Sequence, residues 1–195
     1  MALDELRPGL FRWTAIHPDA EDEPEPESPA DWPAEVGCVL YDAPAATVLI
    51  DPLVPEDGWD ALDAHVRGSG LPVAVLTTIG WHRRSRAEAL SRYEASEAVP
   101  DGVEALQIDR AGETMYWLPE HGALVAGDRI LGAADGGLRL CPESWLRYLQ
   151  NGLTLDELRG LLRPLLELEI ELVVVSHGEP VLRDGHAALA RALEA

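Results

Sequence analysis

Apolar positions come in short blocks separated by turn-forming residues, and the blocks change period along the chain. A first apolar segment covers 9–16. Two more, at 36–41 and 46–53, flank Asp42-Ala43-Pro44-Ala45 and predict a β-hairpin. The second ends in Asp51-Pro52, which puts a carboxylate at the C-terminal tip of a strand. Over 58–67 the period lengthens: Trp59, Leu62 and Val66 fall on one helical face, and Gly68-Ser69-Gly70 stops the pattern. The run 72–77 is short and continuously apolar, as expected of a strand covered on both faces.

Ser85 with Glu88 three residues later fits a capping box and predicts a helix from about Arg86 to Tyr93. That leaves 78–84 as a loop between a buried strand and a helix. Strands are predicted at 103–108, 114–118 and 122–126, the last two joined through Glu120-His121-Gly122, and a helix over 142–150. A second capping box, Thr154 with Glu157, starts a helix carrying Leu155, Leu158, Leu161, Leu162 and Leu165. A buried strand at 172–175, the segment Ser176-His177-Gly178-Glu179-Pro180 and a closing helix from about Asp184 complete the pattern. No repeat or linker interrupts it, so one domain spanning 1–195 is expected.

Composition narrows the chemistry. The chain has 195 residues, 15 Lys+Arg against 35 Asp+Glu, and a net charge of −20, yet 47% of it is hydrophobic, which describes an acidic globular protein. Nucleic acid is excluded as a partner, because binding it needs a basic face. Every basic residue is Arg, so Schiff-base and lysine general-base chemistry and any P-loop lysine are excluded. Repelling carboxylates and prolines make 19–31 an expected mobile, solvated loop. Cys38 and Cys141 lie far apart without a CxxC context and imply neither a disulfide framework nor a thiolate zinc site. With no secretion signal and no membrane-length apolar run, a soluble cytoplasmic protein without membrane contact is expected.

Polar residues concentrate at four strand ends: Asp51, the loop 78–84, Gly127-Asp128, and His177. Ligands in layered α/β folds sit where such tips converge. Imidazole and carboxylate together suit zinc, iron or manganese. Arg83, Arg84 and Arg86 cluster in an otherwise acidic chain and form a candidate site for a phosphate or carboxylate ligand. No GxSxG elbow or GxGxxG string is present. His17, His65, His121 and His186 are read as solvated or locally bonded.

From about Phe11 to Leu193 the order of elements resembles the metallo-β-lactamase family. The resemblance rests on Val48-Leu49-Ile50-Asp51-Pro52, Val75-Leu76-Thr77, Val125-Ala126-Gly127-Asp128 and Ser176-His177-Gly178-Glu179-Pro180. It implies an α/β (α+β) fold built as a four-layered αββα sandwich, and a dinuclear metal hydrolase. The family's HxHxDH motif corresponds here to Thr78-Ile79-Gly80-Trp81-His82-Arg83. Thr78 and Gly80 stand in place of two histidines, His82 in place of the aspartate and Arg83 in place of the last histidine. A further histidine of the family has no counterpart in 109–114. By the same resemblance Asp128 matches the bridging aspartate, His177 the last histidine, and Asp51 an aspartate that organises the site without binding metal.

Two functions follow from the resemblance. The leading expectation is a degenerate member that has lost dinuclear hydrolysis and serves as a binding or regulatory domain for a small molecule or protein, with Arg83 or Arg84 paired to Asp128 in place of a metal. The alternative is a hydrolase of esters, thioesters or amides in which His82, Asp128 and His177 hold one divalent ion, zinc first, and Asp128 also orients water.

Overall fold

The fold follows from strands whose two faces both carry apolar side chains. A computed structural model describes residues 1–20 and 32–195. Most of the expected loop at 19–31 therefore lies outside the described residues. One sheet has the order β1 (Asp4–Arg7), β2 (Leu10–Ile16), β3 (Glu35–Ala43), β4 (Ala46–Ile50) and β5 (Val73–Leu76). The other runs β11 (Leu172–Val175), β8 (Ala123–Ala126), β7 (Glu113–Leu118) and β6 (Glu104–Ile108), and β9 (Ile130–Gly132) pairs with β10 (Leu138–Leu140).

Alternation along each strand sorts side chains into three cores. Val48 and Ile50 of β4, with Ala74 and Leu76 of β5, face Val125 of β8 and Val174 of β11 between the sheets. The intervening Leu49, Val73 and Val75 pack on Trp59 and Leu62 of α1 (Trp59–Ser69) and Ala89 of α2 (Arg86–Arg92). On the far side, Leu124, Val173 and Val175 meet α3 (Glu143–Leu146), α4 (Leu155–Leu162) and α5 (Gly185–Glu194) through Trp145, Leu158, Leu162 and Leu189. These layers are the expected αββα sandwich. Among the described residues no helix is long and apolar enough to cross a membrane.

Several local expectations change. The 42–45 hairpin closes as β3 pairs with β4 through Ala43↔Ala46. The capping box at Thr154 and Glu157 is complete. The one at Ser85 does not form, because Ser85 Oγ instead accepts the Val54 N–H at 2.9 Å. The helix expected over 142–150 is α3 followed by a 3₁₀ turn at Arg147–Leu149. Strands β1, β9 and β10 were not foreseen. The second hairpin strand ends at Ile50, where Asp51 turns into the left-handed region with φ 50°, a conformation Asp tolerates better than most residues.

Two parallel pairs place the polar tips together. β4 and β5 run parallel, ending with Ile50 beside Leu76, and β8 and β11 run parallel, ending with Ala126 beside Val175. Asp51, Thr78, Asp128 and His177 therefore leave the sandwich at one edge.

Candidate functional site

His82, Asp128 and His177 come together at that edge, all buried, each offering one ligand atom, and these atoms lie within 4.8 Å of one another. It is the one such group among the described residues. Asp128 Oδ1 lies 3.0 Å from His82 Nε2 and 3.4 Å from His177 Nε2. Despite this proximity the oxygen has no well-aligned hydrogen bond among the described residues. Three potential donor atoms this close together could hold a cation. A tetrahedral zinc site with bonds of about 2.0–2.1 Å has edges of about 3.3 Å, so the two short separations fit one ion.

Each of the three side chains is held from behind. His82 Nδ1 lies 2.8 Å from Asp51 Oδ2, which orients the ring with Nε2 toward Asp128. Asp51 in turn accepts the Thr78 N–H at 2.8 Å on Oδ1 and the Thr78 hydroxyl on Oδ2. Trp81 Nε1 donates to Asp128 Oδ2. Glu113, wholly buried, accepts the N–H groups of Gly127, Asp128 and Arg129, each at 2.9 Å, and so fixes the turn that carries Asp128. His177 is clasped by Trp145 and Trp32, both edge-on, with centroids 5.6 and 5.8 Å away. Its Nδ1 is buried and without a partner among the described residues.

Charge follows from these contacts. Burial opposes protonation of His82, but Asp51 and Asp128 outweigh it and lift its pKa to about 9. Burial likewise opposes ionisation of Asp128, yet His82 and His177 hold it well below the usual carboxylate range. Glu113 goes the other way. Burial, helped by the charge on Asp128, pushes it up to about 7 against the pull of Arg129 and the amide donors.

Neither Arg83 nor Arg84 reaches Asp128, whose neighbours are His82, His177 and Trp81. The expected substitution of a salt bridge for the metal is therefore corrected, since Arg84 Nη1 donates to the carbonyls of Asp51 and Gly37 at 3.1 and 3.4 Å. Arg86 pairs with Glu97. Arg84 borders one cavity, whereas Arg83 and Arg86 border another. The minor histidines are locally bonded: His65 to Asp42 at 2.9 Å, His186 to the Leu166 carbonyl at 3.0 Å, His17 to the Asp19 N–H at 3.2 Å, and His121 edge-on to Tyr41. Burial pushes the thiols of Cys38 and Cys141 up to about 11, so neither is a ready nucleophile.

Above His82, Asp128 and His177 opens a cavity of about 370 Å³, walled by Trp32, Trp81, Trp145 and Tyr148. Sequence reasoning missed these aromatics, and Glu113 too. Nothing in the spacing of tryptophans marks them as neighbours, and Glu113 opens a strand where a solvent-facing acid is the usual occupant.

No protein-family model and no curated protein matches the chain. Its structure does match solved ones. The DIM-1 metallo-beta-lactamase superposes with a TM-score of 0.65 at 13% identity, covering 99% of this chain and 94% of that one. A metallo-beta-lactamase from Erythrobacter litoralis gives 0.61 at 14% identity over 98% and 90%. A metallo-beta-lactamase family protein from Thermus thermophilus gives 0.50 at 17% identity over 97% and 80%.

Proposed function

We propose that this chain, which has the metallo-β-lactamase fold, is a hydrolase that works with a single divalent ion, zinc first, held by His82, Asp128 and His177. The observation that carries this reading is the convergence of three buried donor atoms on the floor of an open cavity. Dinuclear chemistry is not part of it, because Thr78, Gly80 and Arg83 occupy the positions where the resemblance calls for imidazoles. Asp51 and Thr78 set the His82 tautomer, and Trp81 engages one oxygen of Asp128 while the other faces the imidazoles. When bound, a divalent ion polarises a carbonyl and lowers the pKa of water. Three tryptophans and a tyrosine around the opening favour an ester, thioester or amide with an apolar or aromatic acyl part.

Metal analysis of protein purified without chelators tests the proposal. About one equivalent of metal is expected in the wild type and none in an Asp128→Ala/His177→Ala variant, together with loss of aryl-ester hydrolysis. A folded wild type that arrives metal-free and does not take up added zinc would sink it.

One observation favours a second reading, a metal-free binding or regulatory domain. The charged His82 ring between Asp51 and Asp128 already supplies a cation where an ion would sit. The same metal analysis decides between the two.

A further inference from the structure

The loop 78–84 divides its residues between two cavities. Trp81, His82 and Arg84 border the aromatic one, while Thr78, Ile79, Gly80 and Arg83 border a second, of about 330 Å³, with α2 along another side. We propose that this second cavity binds a phosphate group, free or carried by a small polar molecule.

Four features of its lining point to such a ligand. Arg83 is exposed and has neither an ion-pair nor a hydrogen-bond partner among the described residues, so its guanidinium is available to an anion. Arg86 enters the same cavity and is held by Glu97, so the two arginines outnumber the single acid. Thr77 Oγ1 is shielded from solvent and unpartnered among the described residues. At Gly80 nothing lies within 4 Å of where a Cβ would be, so the backbone there is open to a ligand.

Two guanidiniums and a hydroxyl suit a tetrahedral oxyanion, since planar forks bind phosphate oxygens in pairs and an aliphatic hydroxyl supplies a further donor. The cavity lies at the lower end of the usual ligand range of about 300–1,000 Å³ and has room for more than the phosphate alone. Its opening is mostly polar, which suits a hydroxylated remainder over an acyl chain. Glu97 is an internal competitor: it occupies Arg86 and must release it as the anion enters. None of the three candidate metal ligands lines this cavity, so the site stands or falls independently of the metal.

Calorimetric titration of the full chain at low ionic strength tests this, with inorganic phosphate, glucose 6-phosphate and glucose as probes. Saturable one-site binding of at least one phosphate probe is expected, with none for glucose. The tighter of the two phosphate probes identifies the source of the group. Arg83→Ala should weaken binding at least tenfold with little change in the thermal midpoint, because its exposed side chain makes no hydrogen bond or ion pair among the described residues. Glu97→Gln should tighten it at least threefold by freeing Arg86, whereas Asp156→Asn, at an exposed position of α4, should leave it unchanged. Absence of saturable binding in both wild type and Glu97→Gln overturns the proposal. So does an Arg83→Ala variant that binds as well as the wild type, or equal tightening by Glu97→Gln and Asp156→Asn.

Discussion

His82 without metal is the most exacting test of the site. Its ring is buried, with Nδ1 2.8 Å from Asp51 Oδ2 and Nε2 3.0 Å from Asp128 Oδ1. Burial alone would keep it neutral; the two carboxylates win and lift its pKa to about 9. Raising the pKa from 6.5 to about 9 corresponds to about 3 kcal/mol of folding free energy in the metal-free chain. Because the folded value lies above the unfolded one, this stability is fully present below pH 6.5 and is lost as pH rises through 9. Asp51→Asn removes one of the two carboxylates while keeping the shape of the side chain. The His82 contribution should then fall by roughly half, and the stability difference between wild type and variant should shrink from pH 6 to pH 10. Urea denaturation of chelator-treated protein across that range measures it, and the His82 imidazole resonance, followed by NMR, assigns it. A His82 resonance titrating at or below pH 6.5, or a wild type and variant with parallel pH profiles, would refute the reasoning. Metal binding inherits the same term, since an imidazolium must shed its proton to become a ligand: zinc affinity should rise steeply between pH 7 and 9 and less steeply in Asp51→Asn.

Glu113→Gln keeps the size of the side chain but turns an NH₂ group toward one of the three backbone donors at Gly127, Asp128 and Arg129. Losing one charge-assisted bond and leaving a buried donor unpaired should cost about 2–4 kcal/mol, a drop of roughly 5–15 °C in Tm, read by calorimetry. Because the folded pKa of Glu113 is raised to about 7, the wild type should also lose stability as pH climbs from 4.5 to 7, and that part of the pH dependence should vanish in the variant. Gly127→Ala would drive a methyl group into the Thr78 side chain, with Thr78 Cβ only 3.0 Å from the new atom. It should cost about 1–3 kcal/mol and lower metal affinity by pushing Thr78 off Asp51; a variant with wild-type Tm and metal affinity would contradict the close packing of the two loops.

How much of this was legible depends on the range of the interactions. The runs 72–77 and 172–175 read as buried strands because both faces of β5 and β11 are covered, and a continuous apolar run is the local trace of that burial. β1 went unread because its residues Asp4-Glu5-Leu6-Arg7 sit at the sheet's edge, where one neighbour and water replace the core. β9 and β10, three residues each, are too short to show a period. Both capping boxes have the same local pattern, and only one formed. At Thr154 nothing distant competes for the hydroxyl, whereas at Ser85 the Val54 N–H, 31 residues away, claims it.

The candidate site shows the same division. That polar residues end strands was visible one strand at a time, so Asp51, His82, Asp128 and His177 could be nominated from sequence. Their meeting depends on two parallel pairings, β4 with β5 and β8 with β11, set by contacts up to about fifty residues apart. The expected pairing of Arg83 or Arg84 with Asp128 fails for a related reason. Adjacent positions in a loop were treated as sharing one neighbourhood, but successive side chains there turn to different sides, with His82 facing Asp128 and Arg83 facing the second cavity. Thr78 clamps Asp51, His82 points at Asp128, and Gly80 and Arg83 open onto a separate space.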